Sequence, residues 1–187
     1  ALSGVQKRVT KENILWYERT FTVPSAWSGK RIMLNFGAVD WSAEVYVNGT
    51  LVASHTGGYA PFSADITAAL NKKGAQKLVV RVWDPTEKGE QPVGKQLSTL
   101  GNIWYTPVSG IWQTVWLEPV HTSHISSLRI VPDVDRNNLK LTVDVANGDG
   151  LLIEARLMDE GKEVALAKGY TGFDMTICVA NPKLWSP

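Results

Sequence analysis

The sequence of 187 residues has only one cysteine, Cys178, so no internal disulfide can form and no multi-cysteine zinc site exists. No apolar run approaches the roughly 18 residues that a membrane-spanning helix needs, and we predict no membrane segment. Basic and acidic residues nearly balance, at 19 and 18, and no basic stripe stands out. This balance argues against nucleic acid as the main partner.

Signatures of autonomous catalysis are equally scarce. No Gly-x-Ser-x-Gly elbow accompanies the histidines, and the two that lie three residues apart lack the further ligands of a zinc site. Gly57-Gly58 lacks the Lys-Ser/Thr ending of a phosphate-binding loop. We therefore interpret it as a tight loop that positions Tyr59 and Phe62 to pack against a core. Carboxylates are numerous, but no pair has a distinguishing local context. We expect no catalytic residue, metal or cofactor in this chain. The histidines are His55, His121 and His124.

Strand-forming residues dominate the first 120 positions. Hydrophobic residues make up 44% of the chain and eight are tryptophan, so a packed core is expected. Asn48-Gly49 supplies the positive φ values of a type I′ turn and predicts a hairpin over 43–55. Asp65 is predicted to cap a helical turn over 65–70. Short β-branched and aromatic segments bounded by turn residues predict strands at 15–23, 31–37, 43–47, 51–55, 77–83 and 111–118.

The pattern changes after Pro119, where apolar and polar residues alternate more strictly. Such alternation is typical of sheets with one solvated face. We predict an all-β chain: a jelly-roll (galactose-binding-like) β-sandwich over residues 1–120, then an immunoglobulin-like β-sandwich over 121–187 that is incomplete. The strands predicted in the second region are 125–131, 138–146, 151–158, 163–167 and 171–179.

A long loop between Asp84 and Tyr105 runs for about 20 residues without a strand signal. Loops beyond about 12–15 residues tend to be functional or disordered. Aromatic faces can cover the C–H groups of a sugar while amides and charges bind its hydroxyls, so a ligand-facing loop is one interpretation. A packing loop, with Asp84 capping a turn, is the other. The candidate binding residues are Asp84, Gln91, Lys95, Gln96, Asn102, Trp104 and Tyr105.

Six segments stand in series along the first region: ALSGV (1–5), WYERTFTVP (16–24), GAVDWSAEVYVNGTLV (37–52), HTGGYAPFSADIT (55–67), LVVRVWDPT (78–86) and VSGIWQTVWLEPV (108–120). Together they resemble the N-terminal sugar-binding domain of glycoside hydrolase family 2, which includes β-galactosidases, β-glucuronidases and β-mannosidases. NPKLWSP (181–187) is similar to a stretch near the end of the immunoglobulin-like second domain of that family. QPVGKQ (91–96) and WYTPVSGIWQ (104–113) are most similar to β-galactosidase-like members.

This resemblance implies a catalytic (β/α)₈ barrel after the two domains, and hydrolysis of terminal β-glycosides, foremost β-galactosides, with retention. The catalytic acid/base and the nucleophile of the family are both glutamates of this barrel. They would lie beyond Pro187, because a barrel needs roughly 250 residues of its own. Asn13 lies near the position of an asparagine that reaches the sugar in family galactosidases, about one residue out of register. Residues 101–108 lack the acid that helps hold a monovalent cation in those enzymes, so no metal is carried over. Trp112 and Trp116 are interpreted as core and inter-domain packing.

The partners that the resemblance implies are a β-glycoside and a catalytic barrel in the same polypeptide. Two alternatives stay open: a free-standing carbohydrate-binding module, and a structural domain whose tryptophans form a homo-oligomer interface. The sequence begins at Ala1 without Met, which leaves a removed secretion signal open. A periplasmic or secreted bacterial protein is the expectation.

Overall fold

Fourteen β-strands and three short 3₁₀ turns make up the regular structure of residues 8–99 and 101–186, the part of the chain that the computed structural model describes. The prediction of an all-β protein is confirmed. The ALSGV segment of the resemblance lies outside the described residues. The strands are β1 (Ile14–Phe21), β2 (Arg31–Phe36), β3 (Val39–Asp40), β4 (Ser42–Val47), β5 (Thr50–Thr56), β6 (Phe62–Asp65), β7 (Gln76–Trp83), β8 (Gly110–Ile111), β9 (Val115–Val120), β10 (His124–Asp133), β11 (Asn138–Ala146), β12 (Leu152–Asp159), β13 (Lys162–Tyr170) and β14 (Met175–Cys178).

The chain divides into two compact units, unit 1 (Ala1–Pro119) and unit 2 (Val120–Pro187). Unit 1 contains a four-stranded sheet in the order β1-β7-β4-β5 and a three-stranded sheet in the order β6-β2-β9. Alternate residues of β4 are buried, as expected for a strand with one face on a core. The core lies between the two sheets and is built from Ile32, Leu34, Phe36, Val39, Ala43, Val45, Val47, Ala64, Ile66, Val80 and Val82.

The hairpin at Asn48-Gly49 forms as predicted. Its two turn residues have φ values of 50° and 83°, which a type I′ turn requires. Asn48 also joins the hairpin to neighbouring segments, because its amide nitrogen donates to the carbonyl oxygen of Ala69 at 2.8 Å and to the Gln76 side chain at 2.7 Å. Local turn chemistry and long-range hydrogen bonding therefore support the same register.

Two local predictions in unit 1 are corrected by the structure. The helical turn is a 3₁₀ turn at Thr67–Ala69, and Asp65 accepts from the Thr67 backbone N–H at 2.9 Å without being the residue that directly precedes the turn. The single strand predicted over 111–118 is split into β8 and β9. The split occurs because β8 pairs with β3, whereas β9 joins the sheet of β2 and β6.

Trp112 and Trp116 are not core residues, which corrects the core part of the sequence interpretation. Their exposed fractions are 43% and 44%. Trp112 lies in the interruption between β8 and β9, and its indole N–H donates to the carbonyl oxygen of Gly58 at 2.8 Å. Strand alternation indicates that two faces exist but does not tell which one the second sheet covers, and this is why the sequence misassigned Trp116. Trp112 was misassigned because the predicted strand is interrupted at its position.

Unit 2 contains a three-stranded sheet, β10-β11-β14, and the two-stranded hairpin β12-β13. Its core is small and consists of Leu141 and Val143 from β11 with Met175 and Ile177 from β14. Partly buried apolar residues of β12 and β13 pack against this cluster. The predicted strands are all present, although β13 extends further and β14 begins later than the sequence indicates.

Candidate functional site

The long loop predicted from the sequence connects β7 to β8 and spans residues 84–109. We call it the 84–109 loop. Its base contains Thr86 with φ of 58°, a left-handed conformation that β-branched residues rarely adopt. The backbone groups of Thr86 are both held: its N–H donates to Asp84 Oδ1 at 2.6 Å, and its carbonyl oxygen accepts from the Gln91 amide at 2.7 Å. Two predicted binding residues thus hold a strained backbone in place.

Asp84 is buried and anchors both ends of the loop. Besides the Thr86 N–H, its carboxylate accepts a short hydrogen bond from the Ser109 hydroxyl. A buried carboxylate with two donors acts as a fixed clamp, because breaking either bond would leave a desolvated polar group. The capping interpretation of Asp84 and the ligand-loop interpretation are compatible, since this residue organises the loop on which other candidates lie.

Gln96 organises the other half of the 84–109 loop. Its side-chain oxygen accepts from the Val108 N–H at 2.5 Å. The flanking backbone forms an isolated parallel bridge with Tyr105, in which the Tyr105 N–H donates to the Lys95 carbonyl oxygen at 2.6 Å. The Leu97 N–H donates to the Tyr105 carbonyl oxygen at 3.1 Å. These bonds position Tyr105 and its neighbour Trp104 on a supported backbone.

Four of the predicted loop residues face solvent: Lys95, Asn102, Trp104 and Tyr105. The exposed fractions of the two aromatic side chains are 39% and 66%. Exposed aromatic rings on a hydrogen-bonded loop are available for stacking on a ligand, and the exposed Lys95 ammonium group can donate to hydroxyl or carboxylate oxygens. The predicted residues therefore separate into those that build the loop and those that it presents.

Asn13 closes a turn just before β1. Its side-chain oxygen accepts from the Thr10 N–H at 2.9 Å and from the Thr10 hydroxyl at 3.2 Å. This segment lies beside the 84–109 loop, since the Arg8 guanidinium donates to the Ser98 carbonyl oxygen at 2.6 Å. The oxygen of Asn13 is thus engaged locally, although the segment borders the predicted site.

Asp40 belongs to the site but was not predicted. It pairs with Gly110 across β3 and β8, beside the Ser109 that binds Asp84. Partial burial, and secondarily the nearby Asp84 carboxylate, raise the pKa of Asp40 to about 6. Gly58 packs directly on its carboxylate: a Cβ at that glycine would lie 2.5 Å from Asp40 Oδ1. No local sequence signal identifies Asp40, because its partners come from three distant segments.

A second aromatic pair, Tyr59 and Trp112, borders the same loop. Their ring centroids are 6.0 Å apart with an interplanar angle of 74°, an edge-to-face arrangement. A Cβ at Gly94 of the 84–109 loop would lie 3.5 Å from the Tyr59 hydroxyl oxygen. The sequence predicts that both Tyr59 and Phe62 pack against the core. Phe62 does lie there and stacks on Phe36, but Tyr59 is exposed, so the prediction is wrong for Tyr59.

The partly buried Asp40, near the buried Asp84, leads to a prediction about pH. The pKa of Asp40 lies near 6 in the folded chain and near 3.9 for an unfolded aspartate, so protonation favours folding. Its stabilising contribution is complete below about pH 4 and is lost as the pH rises through 6. We expect Asp40→Asn to raise the free energy of unfolding by about 1–2 kcal/mol at pH 7.5, and by almost nothing at pH 4.

Urea unfolding followed by tryptophan fluorescence at both pH values measures this difference. Tryptophan emission reports mainly on unit 1, because Trp185 is the only tryptophan after Pro119. Glu90→Gln, which neutralises an exposed carboxylate of the same loop, is the control and should change little at either pH. An equal gain for Asp40→Asn at pH 4 and pH 7.5 would show that titration is not the cause.

Within residues 8–99 and 101–186, no three His, Cys, Asp or Glu side chains cluster closely enough to hold a metal ion. His124 and His121 interact through a ring nitrogen and a backbone carbonyl oxygen, 2.8 Å apart, and not as a pair of ring ligands. In the same ranges, no helix has the length and apolar character of a membrane span.

Comparisons with known proteins match nearly the whole chain. The family model described as glycosyl hydrolases family 2, sugar binding domain, matches residues 5–119. A β-glucuronidase of Paenibacillus borealis is 33% identical over 189 residues, which cover 92% of this chain and 31% of that protein. A β-galactosidase of Thermoanaerobacter pseudethanolicus is 27% identical over 194 residues, which cover 93% of this chain and 24% of that protein. The structure of the Ruminococcus gnavus β-glucuronidase aligns with a TM-score of 0.71 at 26% identity, covering 92% of this chain and 30% of that one.

Proposed function

The chain belongs to glycosyl hydrolase family 2, and on this premise we propose that it is the non-catalytic amino-terminal part of a β-glycosidase. The observation that carries the proposal is the length relation. Proteins named as glycosidases match more than nine tenths of this chain, which spans less than a third of their own length. We propose that a catalytic barrel of the same polypeptide lies beyond Pro187 and contributes the two carboxylates of a retaining mechanism.

In this proposal unit 1 is the sugar-binding-like domain, and the 84–109 loop lines part of the substrate pocket. Asp84 and Gln96 hold the loop backbone through the bonds described above. Trp104 and Tyr105 would then stack on the sugar or its leaving group, and Lys95 would bind an oxygen of the substrate. Unit 2 is proposed to be the partial immunoglobulin-like domain that connects unit 1 to the barrel.

The substrate is proposed to be a terminal β-galactoside or β-glucuronide. The similarity of residues 91–96 and 104–113 to β-galactosidase-like sequences favours a galactoside. The relatives, however, include both β-glucuronidases and a β-galactosidase. The two sugars differ in configuration at C4 and in oxidation state at C6, where a glucuronide carries a carboxylate that needs a cationic partner.

The test is to read the gene past the codon for Pro187 and to assay the complete product. We expect a barrel of roughly 250 or more residues, and hydrolysis of 4-nitrophenyl β-galactoside or β-glucuronide. Comparing kcat/KM for these two substrates assigns the sugar. A stop codon within one or two strands of Pro187, or a complete product inactive on β-glycosides, would reject the enzyme proposal.

The role of the loop is tested by Trp104→Ala in the complete enzyme. Loss of one stacking contact should lower kcat/KM about fivefold or more, because such a contact contributes about 1 kcal/mol or more to transition-state binding. The neighbouring Ile103 is also exposed, so Ile103→Ala is a matched control for truncating an apolar side chain in the same loop. Equal kcat/KM for Trp104→Ala and the parent enzyme would remove Trp104 from the pocket.

A free-standing carbohydrate-binding module is the second candidate. The exposed Tyr59–Trp112 pair beside the 84–109 loop favours it, because it provides aromatic surface within this chain alone. Calorimetric titration of the chain with galactose and glucuronate separates the candidates. Binding by the isolated chain, together with a short open reading frame, would support the module.

A further inference from the structure

The outward face of the sheet β1-β7-β4-β5 carries a row of side chains that the proposed function does not use. Trp16 of β1 lies opposite Arg81 of β7, which lies opposite Glu44 of β4, which lies opposite Ser54 of β5. With strands about 4.8 Å apart, the row is about 14 Å long. An indole, a guanidinium, a carboxylate and a hydroxyl thus lie side by side on rigid strands.

Trp16 is the main apolar surface of this row. Its exposed fraction is 61%, whereas a tryptophan in a sandwich of this size is usually well covered. One register step along the same face, Trp83 lies between Ile14 of β1 and Ser42 of β4, and its indole N–H is bound to the Lys11 carbonyl oxygen at 2.8 Å. The face therefore presents one unrestrained indole next to one that a hydrogen bond fixes.

The charged members of the row, Arg81 and Glu44, hold each other in place, and their charges cancel. Glu44 accepts from the Tyr46 hydroxyl at 2.9 Å and forms an ion pair with Arg81 at 3.7 Å. Both charged side chains of the pair stay partly exposed, and the guanidinium retains donors beyond those that face Glu44. A ligand with vicinal donors and acceptors, and no net charge, fits such a surface better than an anion or a cation does.

Composition argues against a protein partner on this face. The core of a protein interface is depleted of charged residues, yet charged side chains occupy the middle of the row and its neighbouring positions. Glu18 and Lys77, on the same outward face, form a further solvent-exposed ion pair at 2.9 Å. A wet surface of indoles and paired charges is instead suited to a sugar, whose C–H faces stack while its hydroxyls replace water.

We propose that this row, the Trp16 platform, binds a neutral glycan chain of several sugar units along the direction Trp16–Arg81–Glu44–Ser54. The platform uses strand residues and shares none with the 84–109 loop, so it goes beyond the proposed hydrolytic function. It would hold a polymeric substrate near the enzyme, and Trp16 would supply the main stacking contact.

The experiment is affinity electrophoresis of the complete gene product in native gels that contain a β-1,4-galactan, a xylan or a galactomannan. We expect at least one of these glycans to retard the protein, and Trp16→Ala to weaken that association about tenfold, equivalent to about 1.4 kcal/mol. Trp116→Ala is the matched control, since it removes a similarly exposed indole that lies on the other sheet. Its retardation should equal that of the parent protein.

Three outcomes would overturn the platform: no retardation by any of the three glycans, equal retardation of Trp16→Ala and the parent, or a Trp16-dependent dimer in sedimentation without glycan binding. Failure of the hydrolase proposal can be distinguished from failure of the platform. Trp16→Ala should leave kcat/KM for 4-nitrophenyl β-glycosides unchanged, and a complete product without any hydrolytic activity would still be retarded if the platform is real.

Discussion

Replacing Asp84 by alanine is expected to lower the free energy of unfolding of unit 1 by about 2–3 kcal/mol. The truncation leaves the Thr86 N–H and the Ser109 hydroxyl without their acceptor in a partly buried setting. Part of the loss is offset, because Asp40 no longer faces a second carboxylate and its pKa falls. In the complete enzyme, the released loop should also lower kcat/KM, since Thr86 loses one of the bonds that hold its left-handed backbone.

Urea unfolding monitored by tryptophan fluorescence measures the stability change. Asp84→Asn keeps the shape and one acceptor oxygen, so we expect it to lose less than half as much stability as Asp84→Ala. Glu90→Ala, an exposed substitution in the same loop, should stay within about 0.5 kcal/mol of the parent. If Asp84→Ala also stays within that range, Asp84 does not anchor the loop.

Replacing Gly110 by alanine is expected to destabilise unit 1 by about 3 kcal/mol or more. The residue has φ of 97°, which disfavours any L side chain by about 1–2 kcal/mol. An added Cβ would also lie 2.0 Å from the Tyr17 hydroxyl oxygen and 3.2 Å from Leu15 Cδ1. Overpacking of this kind adds about 1–3 kcal/mol. The displaced segment includes Ser109, so the base of the 84–109 loop should loosen as well.

A double variant separates the two causes. Tyr17→Phe removes the oxygen nearest to the new methyl group and leaves contacts of 3.2 Å to Leu15 Cδ1 and to the ring carbon Cζ. Gly110→Ala combined with Tyr17→Phe should therefore regain most of the steric part but not the backbone part. Gly101→Ala is the control, because a Cβ at Gly101 meets no atom within 4 Å and its φ is not in the positive range. Thermal unfolding of the four proteins measures the effect; a Gly110→Ala midpoint equal to that of Gly101→Ala would refute the argument.

Features governed by neighbouring residues were predictable. The Asn48-Gly49 hairpin follows from the positive φ that these two residues tolerate, and the structure has it in the expected place. A long loop was predicted from the lack of strand signals between Asp84 and Tyr105, and in the structure it extends to Ser109. The split of β8 from β9 was not, because it depends on which earlier strands each half pairs with, and a one-dimensional pattern does not contain that pairing.

The candidate site was predicted only in outline. Asp84, Gln91 and Gln96 were selected because they are polar groups in a long loop, and in the structure their hydrogen bonds hold the loop together. The roles of Asp40 and Tyr59 emerge from contacts between segments far apart in the chain. Residue type indicated chemistry in each case, whereas the partner of each group depended on the packing of separate strands.

The sequence by itself determined the all-β class, the approximate positions of most strands and the membership in glycosyl hydrolase family 2, because these depend on local alternation, turn residues and an ordered series of motifs. Only the tertiary structure decided which face of each strand is covered. It exposed Trp16 and Trp116 and brought Asp40 to Asp84. The physical reason is that alternation divides a strand into two faces, while the covered face is chosen by the sheet that packs against it.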